Sequence, residues 1–213
     1  MPCVFCVTVL LKLVAIISRL NCAIFHNTNM IATRFLAPSE YGLYRTWLKS
    51  QDHDTIDTYF GITTGEAYID HVVDGIVSNV DEHNFLVAYR GAEWVGVIHL
   101  ARISETDMEF GIIVAKDFRN QGIATDLMNE AVTWVRNRGF KTLYLHCLRT
   151  NGQMRHLATK FGLELHNLAS ETDAKTTLPP PSVITFTREA VTAQKNIFFM
   201  ALQHAWAPYQ ELG

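Results

Sequence analysis

Two periods of apolar residues alternate along this chain, and the switches between them mark its strands and helices. Residues 110–114, Phe-Gly-Ile-Ile-Val, form a short apolar run of strand length, rich in β-branched side chains. Lys116 and Asp117 break it. Ile123, Leu127, Met128, Ala131, Val132 and Val135 then recur at steps of three and four, which is the stripe of an amphipathic helix ending at Gly139. A second strand is predicted over 142–148. After Asn151, helical spacing returns through Met154, Leu157, Ala158 and Phe161 to Gly162.

Outside that segment the pattern is coarser. Residues 30–36 read as an opening strand. Ser39 is placed to cap a helix over 41–48, and residues 53–64 read as a connecting segment. Ile69, Val72, Val73, Ile76 and Val77 predict a helix over 66–79. Strands over 84–89 and 93–100 make a hairpin through Arg90-Gly91-Ala92. Residues 163–168 and 174–178 read as a closing hairpin. Pro179, Pro180 and Pro181 then stop strand pairing, because proline donates no ladder hydrogen bond. Ser182 is expected to cap a long last helix, which Phe198, Phe199 and Met200 make apolar on more than one face, so that it packs deeply or meets another subunit as a homodimer contact. The sum is an α/β protein with a mixed, mostly antiparallel sheet flanked by helices.

Composition narrows the class. A chain of 213 residues, 48% hydrophobic and 18% charged, suits one globular domain with appendages. Its net charge of −3, with no basic run, points away from nucleic acid. Nine histidines are scattered without metal-ligand spacing, and His53, His71 and His83, near acidic residues, are read as satisfied or solvated. Three of the four cysteines, Cys3, Cys6 and Cys22, precede Met30, and Cys147 reads as a small buried hydrophobe. No disulfide framework is indicated, which favours a reducing, cytoplasmic setting. Residues 1–29 stand apart. Their apolar run carries Lys12, is shorter than the roughly 20 residues that span a bilayer, and lacks a signal-peptide start and cleavage site. The expected divisions are an N-terminal extension over 1–29, read as a misassigned start in preference to a weak membrane anchor or an accessory helix, a domain over 30–178, and a proline stop with a helix over 179–213.

The candidate chemistry lies between the run at 110–114 and the helix that follows. Arg119-Asn120-Gln121-Gly122-Ile123-Ala124 places a glycine at a helix start, where backbone N–H groups lack partners and the dipole favours an anion. Gly122 allows close approach, and Ala124 keeps the next turn small. The stretch lacks the Gly-Lys-Ser/Thr of a Walker loop and the glycine spacing of a dinucleotide fingerprint. Hydrogen bonds to a charged acceptor are worth about 1.5–3 kcal/mol each, so several amides on one diphosphate should outweigh the single charge of Arg119.

The order strand, Arg119–Ala124 loop, strand, and then Asn151-x-x-Met154-x-x-Leu157-Ala158-x-Lys160-x-Gly162-Leu163 resembles the acetyl-CoA-binding core of the GNAT-type N-acetyltransferase superfamily. The resemblance covers 109–163 closely and 31–178 loosely. The proline stop and trailing helix resemble, more weakly, the bacterial protein-lysine acetyltransferase branch. The resemblance implies a GNAT fold and acetyl-CoA as co-substrate, with no metal. It implies CoA contacts from Ile112, Ile113, Val114, Arg119, Asn120, Gln121, Gly122, Ile123, Ala124, Thr125 and Asn151. The acceptor would be a small-molecule or protein amine, walled by the first helices with Tyr44, Trp47, Tyr59 and Phe60 as candidates; core packing is the plainer reading of those aromatics.

It also implies acetyl transfer to a primary amine by direct attack in a ternary complex. A lysine-type amine with a pKa of about 10.4 is neutral roughly once in 2,500 molecules at pH 7, so such an acceptor needs a base. Glu109 occupies the position of a carboxylate that often takes this proton; a solvated residue at a strand start is the plain alternative. The backbone of 112–114 would pair with the pantetheine arm, and one of its N–H groups would stabilise the oxyanion. Many relatives carry an acidic tyrosine for the departing thiolate where this chain has Ala158. His156, Tyr144 and His146 are its possible substitutes. That departure keeps a second function open, a non-catalytic acyl-CoA-binding sensor or scaffold. The acceptor-specific segment, 37–83, matches no known pattern.

Overall fold

The structure is a computed structural model and describes residues 31–210, with side chains through Ala201. The expectations for residues 1–29, including a membrane tether, lie outside the described residues. Residues from Ile31 onward form one compact unit. Among the described residues no helix is long and apolar enough to cross a membrane.

Among the described residues seven strands form one sheet, in the order β1 (Ala32–Phe35), β2 (His83–Arg90), β3 (Glu93–Arg102), β4 (Asp107–Val114), β5 (Thr142–Leu148), β7 (Glu171–Thr177), β6 (Glu164–Leu168). All neighbours are antiparallel except β4 and β5. That parallel pair requires a crossover, supplied by helix α4 (Ile123–Asn137). The remaining helices are α1 (Tyr41–Lys49), α2 (His53–Phe60), α3 (Glu66–Ser78), α5 (Gly152–Lys160) and α6 (Val183–Gln210).

The central strands are apolar on both sides because both sides are covered. Leu86, Ile98, Leu100, Met108, Phe110 and Ile112 pack with the α4 stripe of Ile123, Leu127 and Met128. On the other face Phe85, Val87, Val97 and Ile113 meet Tyr44 and Leu48 of α1 and Val73 of α3. Gly96 sets how closely α4 lies on the sheet, since a Cβ there would stand 3.2 Å from Ile113 O and from Ile123 Cγ2.

The N-terminal half departs from the expected elements twice. Residues 53–60 form helix α2, where a connecting segment was expected. Its stripe is too short to show a period, but its caps are regular: Asp52 accepts from the Thr55 N–H at 3.1 Å, and Gly61 closes the helix at φ 74°. Ser39 caps nothing. It sits inside a 3-10 turn, Pro38–Glu40, where Glu40 accepts from the Ala37 N–H at 2.8 Å and pairs with Arg34 at 2.6 Å.

Helix α6 is capped by Ser182 as expected, with the Thr185 N–H donating to Ser182 Oγ at 3.3 Å. It lies along α4 and the outer edge of β1. There Asn196 Oδ1 accepts from the Thr33 N–H at 3.2 Å, and Asn196 Nδ2 donates to Thr33 Oγ1 at 2.6 Å. An edge strand offers unpaired N–H groups, and this amide occupies one of them. Thr33 Oγ1 in turn donates to Glu130 of α4. The outward side of α6 leaves Ile184, Val191 and Phe198 exposed, seven residues apart.

Candidate active site

The central feature is a parting of two strands. β4 and β5 pair only from Asp107↔Thr142 to Glu109↔Tyr144. Beyond Glu109, β4 continues to Val114 against β3, and β5 continues to Leu148 against β7. The edge of β4 over 110–114 that faces β5 therefore has no strand partner there. A cleft of about 580 Å³ opens along it, walled by the starts of α4 and α5 and by α2.

At the cleft's outer end is the glycine-containing turn. Asn120 at φ 60° and Gly122 at φ 84° are both left-handed, which fans successive N–H groups toward one side. The amides of Asn120, Gln121 and Gly122 find no acceptor among the described residues, and those of residues 123–125 fall in the first helical turn, which has no intrahelical acceptor. A Cβ on Gly122 would meet no protein atom within 4 Å, so the backbone angle alone demands glycine here. Lys160 of α5 donates to Thr125 Oγ1 at 3.2 Å and adds a cation beside the helix start.

Of the residues singled out from the sequence, Ile112, Ile113, Val114, Arg119, Asn120, Gly122, Ile123, Ala124, Thr125 and Asn151 all line this cleft. Gln121 does not. Its side chain accepts from Arg90 at 2.6 Å and donates to Asp117 O at 3.1 Å. Arg119 is committed to the frame, with Nε donating to Val114 O at 3.1 Å and Nη2 to Thr55 of α2. Asn151 caps α5 by accepting from the Met154 N–H at 3.1 Å.

Glu109 sits at the point where the strands part, on the side opposite Phe110. It borders a second, smaller cavity of about 280 Å³ that adjoins the cleft and reaches Tyr44, Phe60, Val72 and Ile76. Although Glu109 is reached by solvent, protein surrounds it on most sides. That desolvation pushes its carboxyl above the ordinary value, partly offset by His146 and reinforced by Asp173. A carboxylate so perturbed beside a cavity is a candidate base with a physical rationale. His146 faces the same cavity, and its pKa is raised because Nδ1 pairs with Asp173 at 2.5 Å.

The N-terminal aromatics divide. Trp47 is core, with its indole N–H donating to Trp94 O at 2.9 Å. Tyr44, Tyr59 and Phe60 line the smaller cavity, and Tyr59 lines both cavities. The place of the absent tyrosine gives nothing back, because Ala158 is fully buried against the sheet. Of its possible substitutes, His156 lines the cleft, His146 the smaller cavity, and Tyr144 neither. His83 is half-buried and satisfied: its Nδ1 lies 3.0 Å from Nε2 of His99, whose burial pushes its pKa down to about 3.

A search of curated proteins by sequence gives no significant match. The fold is shared with many solved structures. The GNAT domain of S. lividans PAT aligns at TM-score 0.56 and 14% identity, over 68% of this chain and 89% of that one. Spermidine N-acetyltransferase from Vibrio cholerae, in complex with CoA and spermine, aligns at TM-score 0.57 and 14% identity, over 71% and 97%. RimL, a ribosomal L7/L12 α-N-protein acetyltransferase in complex with CoA, aligns at TM-score 0.56 and 13% identity, over 71% and 96%. At such identities the likeness is one of fold. The sequence profile of the acetyltransferase (GNAT) family matches residues 41–163, more than half of the chain. The protein therefore belongs to the acetyltransferase (GNAT) family and is an acyltransferase with the GNAT fold.

Proposed function

We propose that this protein moves an acetyl group from acetyl-CoA to a primary amine by direct attack within a ternary complex. The observation that carries the reading is the parting of β4 from β5, with unpartnered amides at one end and Glu109 at the other. The cleft fits the co-substrate in volume, in its backbone donors and in its cation, Lys160. When bound, acetyl-CoA supplies an activated acyl carbon. The amides of residues 120–125 would hold its diphosphate, while the edge of β4 over 112–114, which has no strand partner, pairs with the pantetheine arm as an added strand does. Arg119 braces the turn through Val114 O and Thr55. Glu109 takes the proton of the attacking amine, and its raised pKa brings it nearer to neutral pH, where a general base works best.

The acceptor is a small-molecule or protein amine held in the cavity beside Glu109. Spermidine and a protein α-amine are what two of the structural neighbours act on. Cysteine usage and the co-substrate favour a cytoplasmic enzyme, and the exposed row Ile184, Val191 and Phe198 supports pairing of two copies through α6. The buried Ala158 favours a second reading, an acyl-CoA sensor without turnover. Thiol release from acetyl-CoA, measured with polyamines, aminoglycosides, amino acids and peptides, decides between them. Turnover with one class, lost in Glu109→Gln with CoA affinity kept, supports the enzyme. Tight CoA binding with no turnover on any amine sinks it.

A further inference from the structure

The departing thiolate needs a hydrogen-bond or proton donor, and the last core helix offers none at Ala158. We propose that Tyr59, on helix α2, is the acid of this site and delivers its hydroxyl proton to the leaving sulfur. This inference rests on the acetyltransferase reading above.

Three independent observations place Tyr59 there. First, it borders both the cleft along β4 and the smaller cavity beside Glu109, so it stands where a thioester and an attacking amine would meet. Secondly, its ring lies on the β4 backbone: a Cβ at Gly111 would come within 2.6 Å of the Tyr59 hydroxyl and 2.9 Å of Cε2. Gly111 lies two residues beyond Glu109, the base, and directly before the edge over 112–114 that would carry the pantetheine. Thirdly, the hydroxyl is oriented. Tyr44 on α1 donates its own O–H to Tyr59 Oη at 3.4 Å, which leaves the Tyr59 proton free to point elsewhere. The same contact would stabilise the phenolate left behind.

The proton ledger closes within the site. As the amine nitrogen bonds to the acyl carbon, Glu109 takes the nitrogen's surplus proton. The C–S bond then breaks, its electron pair goes to sulfur, and sulfur takes the Tyr59 proton. Glu109 returns its proton to the phenolate, directly or through solvent. Burial raises the Tyr59 hydroxyl to about 12, with Tyr44 opposing and Glu109 adding to the shift, so the hydroxyl is protonated at neutral pH and is coupled to the base. A phenol near 12 is a weaker acid than a thiol near 8.5, so the transfer completes only because the net flow runs from ammonium to thiolate. The ionisable groups that share its two cavities are Tyr44 from α1, Glu109 from β4, the neutral His99 from β3, His146 and Cys147 from β5, and Arg119, His156 and Lys160 along the cleft; of the cations, Arg119 is bonded to Thr55, Lys160 to Thr125 and His146 to Asp173.

The test is Tyr59→Phe, which keeps the ring against Gly111. With acetyl-CoA and an accepted amine, kcat should fall about a hundredfold, within the range for a lost general acid, while KM for acetyl-CoA stays within twofold. A merely structural role is separated by the leaving group. With the acetyl thioester of a nitrothiophenol, whose thiolate departs without a proton, the variant's deficit in kcat/KM should shrink at least tenfold. A kcat within twofold of wild type, or an equal deficit on both donors, overturns the proposal. If Tyr59→Phe does not fold, Tyr44→Phe carries the test: a three- to tenfold loss of kcat supports it, and no loss overturns it. A wild-type protein that binds acetyl-CoA and acetylates no amine overturns the underlying reading and Tyr59's role with it. An active wild type beside an equally active Tyr59→Phe overturns the role of Tyr59 alone.

Discussion

Replacing Gly122 with alanine separates what this turn does for the fold from what it does for a ligand. The residue sits at φ 84°, and no protein atom lies within 4 Å of where the new Cβ would stand. The free protein therefore pays only for a left-handed alanine, about 1–2 kcal/mol. In a domain of this size that lowers Tm by about 2–8 °C. The ligand pays more. The methyl stands at the cleft wall, among amides that have no acceptor among the described residues. Blocking even one of them costs a charge-assisted hydrogen bond of about 1.5–3 kcal/mol, or about ten- to 150-fold in CoA affinity. Calorimetric titration gives the affinity and thermal unfolding gives Tm. S-Acetylpantetheine, which lacks the diphosphate, is the control: its kcat/KM should change less than twofold. A Gly122→Ala protein that loses several degrees of Tm and binds CoA as tightly as wild type would refute the assignment of the diphosphate to this turn.

Other outcomes follow from the same geometry. The rate should fall as pH drops through the raised pKa of Glu109, because a protonated carboxyl cannot accept, and that acid limb should vanish from the residual rate of Glu109→Gln. Asn196→Leu leaves the buried Thr33 N–H without its acceptor, at a cost of about 1–3 kcal/mol in denaturant unfolding; a change below 0.5 kcal/mol would mean that α6 is not seated on β1. His146 has a folded pKa raised by Asp173, so its contribution to stability is full below its unfolded pKa of about 6.5 and is lost as pH rises through the folded value. Asp173→Asn should flatten that part of the Tm–pH curve, and an NMR titration should show His146 returning toward 6.5.

The strand over 142–148, the α4 stripe and the closing of α5 at Gly162 were legible because each carries several turns or residues of one period. Helix α2 was not, since of its eight residues only Thr55 and Ile56 are buried. Its signal lay in the caps, Asp52 and Gly61, and reading them would have placed Tyr59 on a rigid element. Ser39 misled because an N-cap is a geometry, not a residue type, and Pro38 with Glu40 had already fixed a different turn. The glycine turn was visible as a motif, but the splay beside it was not: where β4 stops pairing with β5 is a matter of register, which no single segment encodes. For the same reason the sequence does not show that the side chains of Gln121 and Arg119 are bonded to Arg90 and Thr55, which leaves the backbone of the turn as the part of it open to a ligand.

A crystal structure of the protein grown with CoA tests the central claim most directly. It should show the diphosphate oxygens within about 3 Å of the amides over 120–125, a distance set by ordinary hydrogen bonding. The pantetheine should lie along 112–114, with its sulfur beside Tyr59. CoA ordered anywhere else on the molecule, with the gap between β4 and β5 filled by protein, would contradict the account.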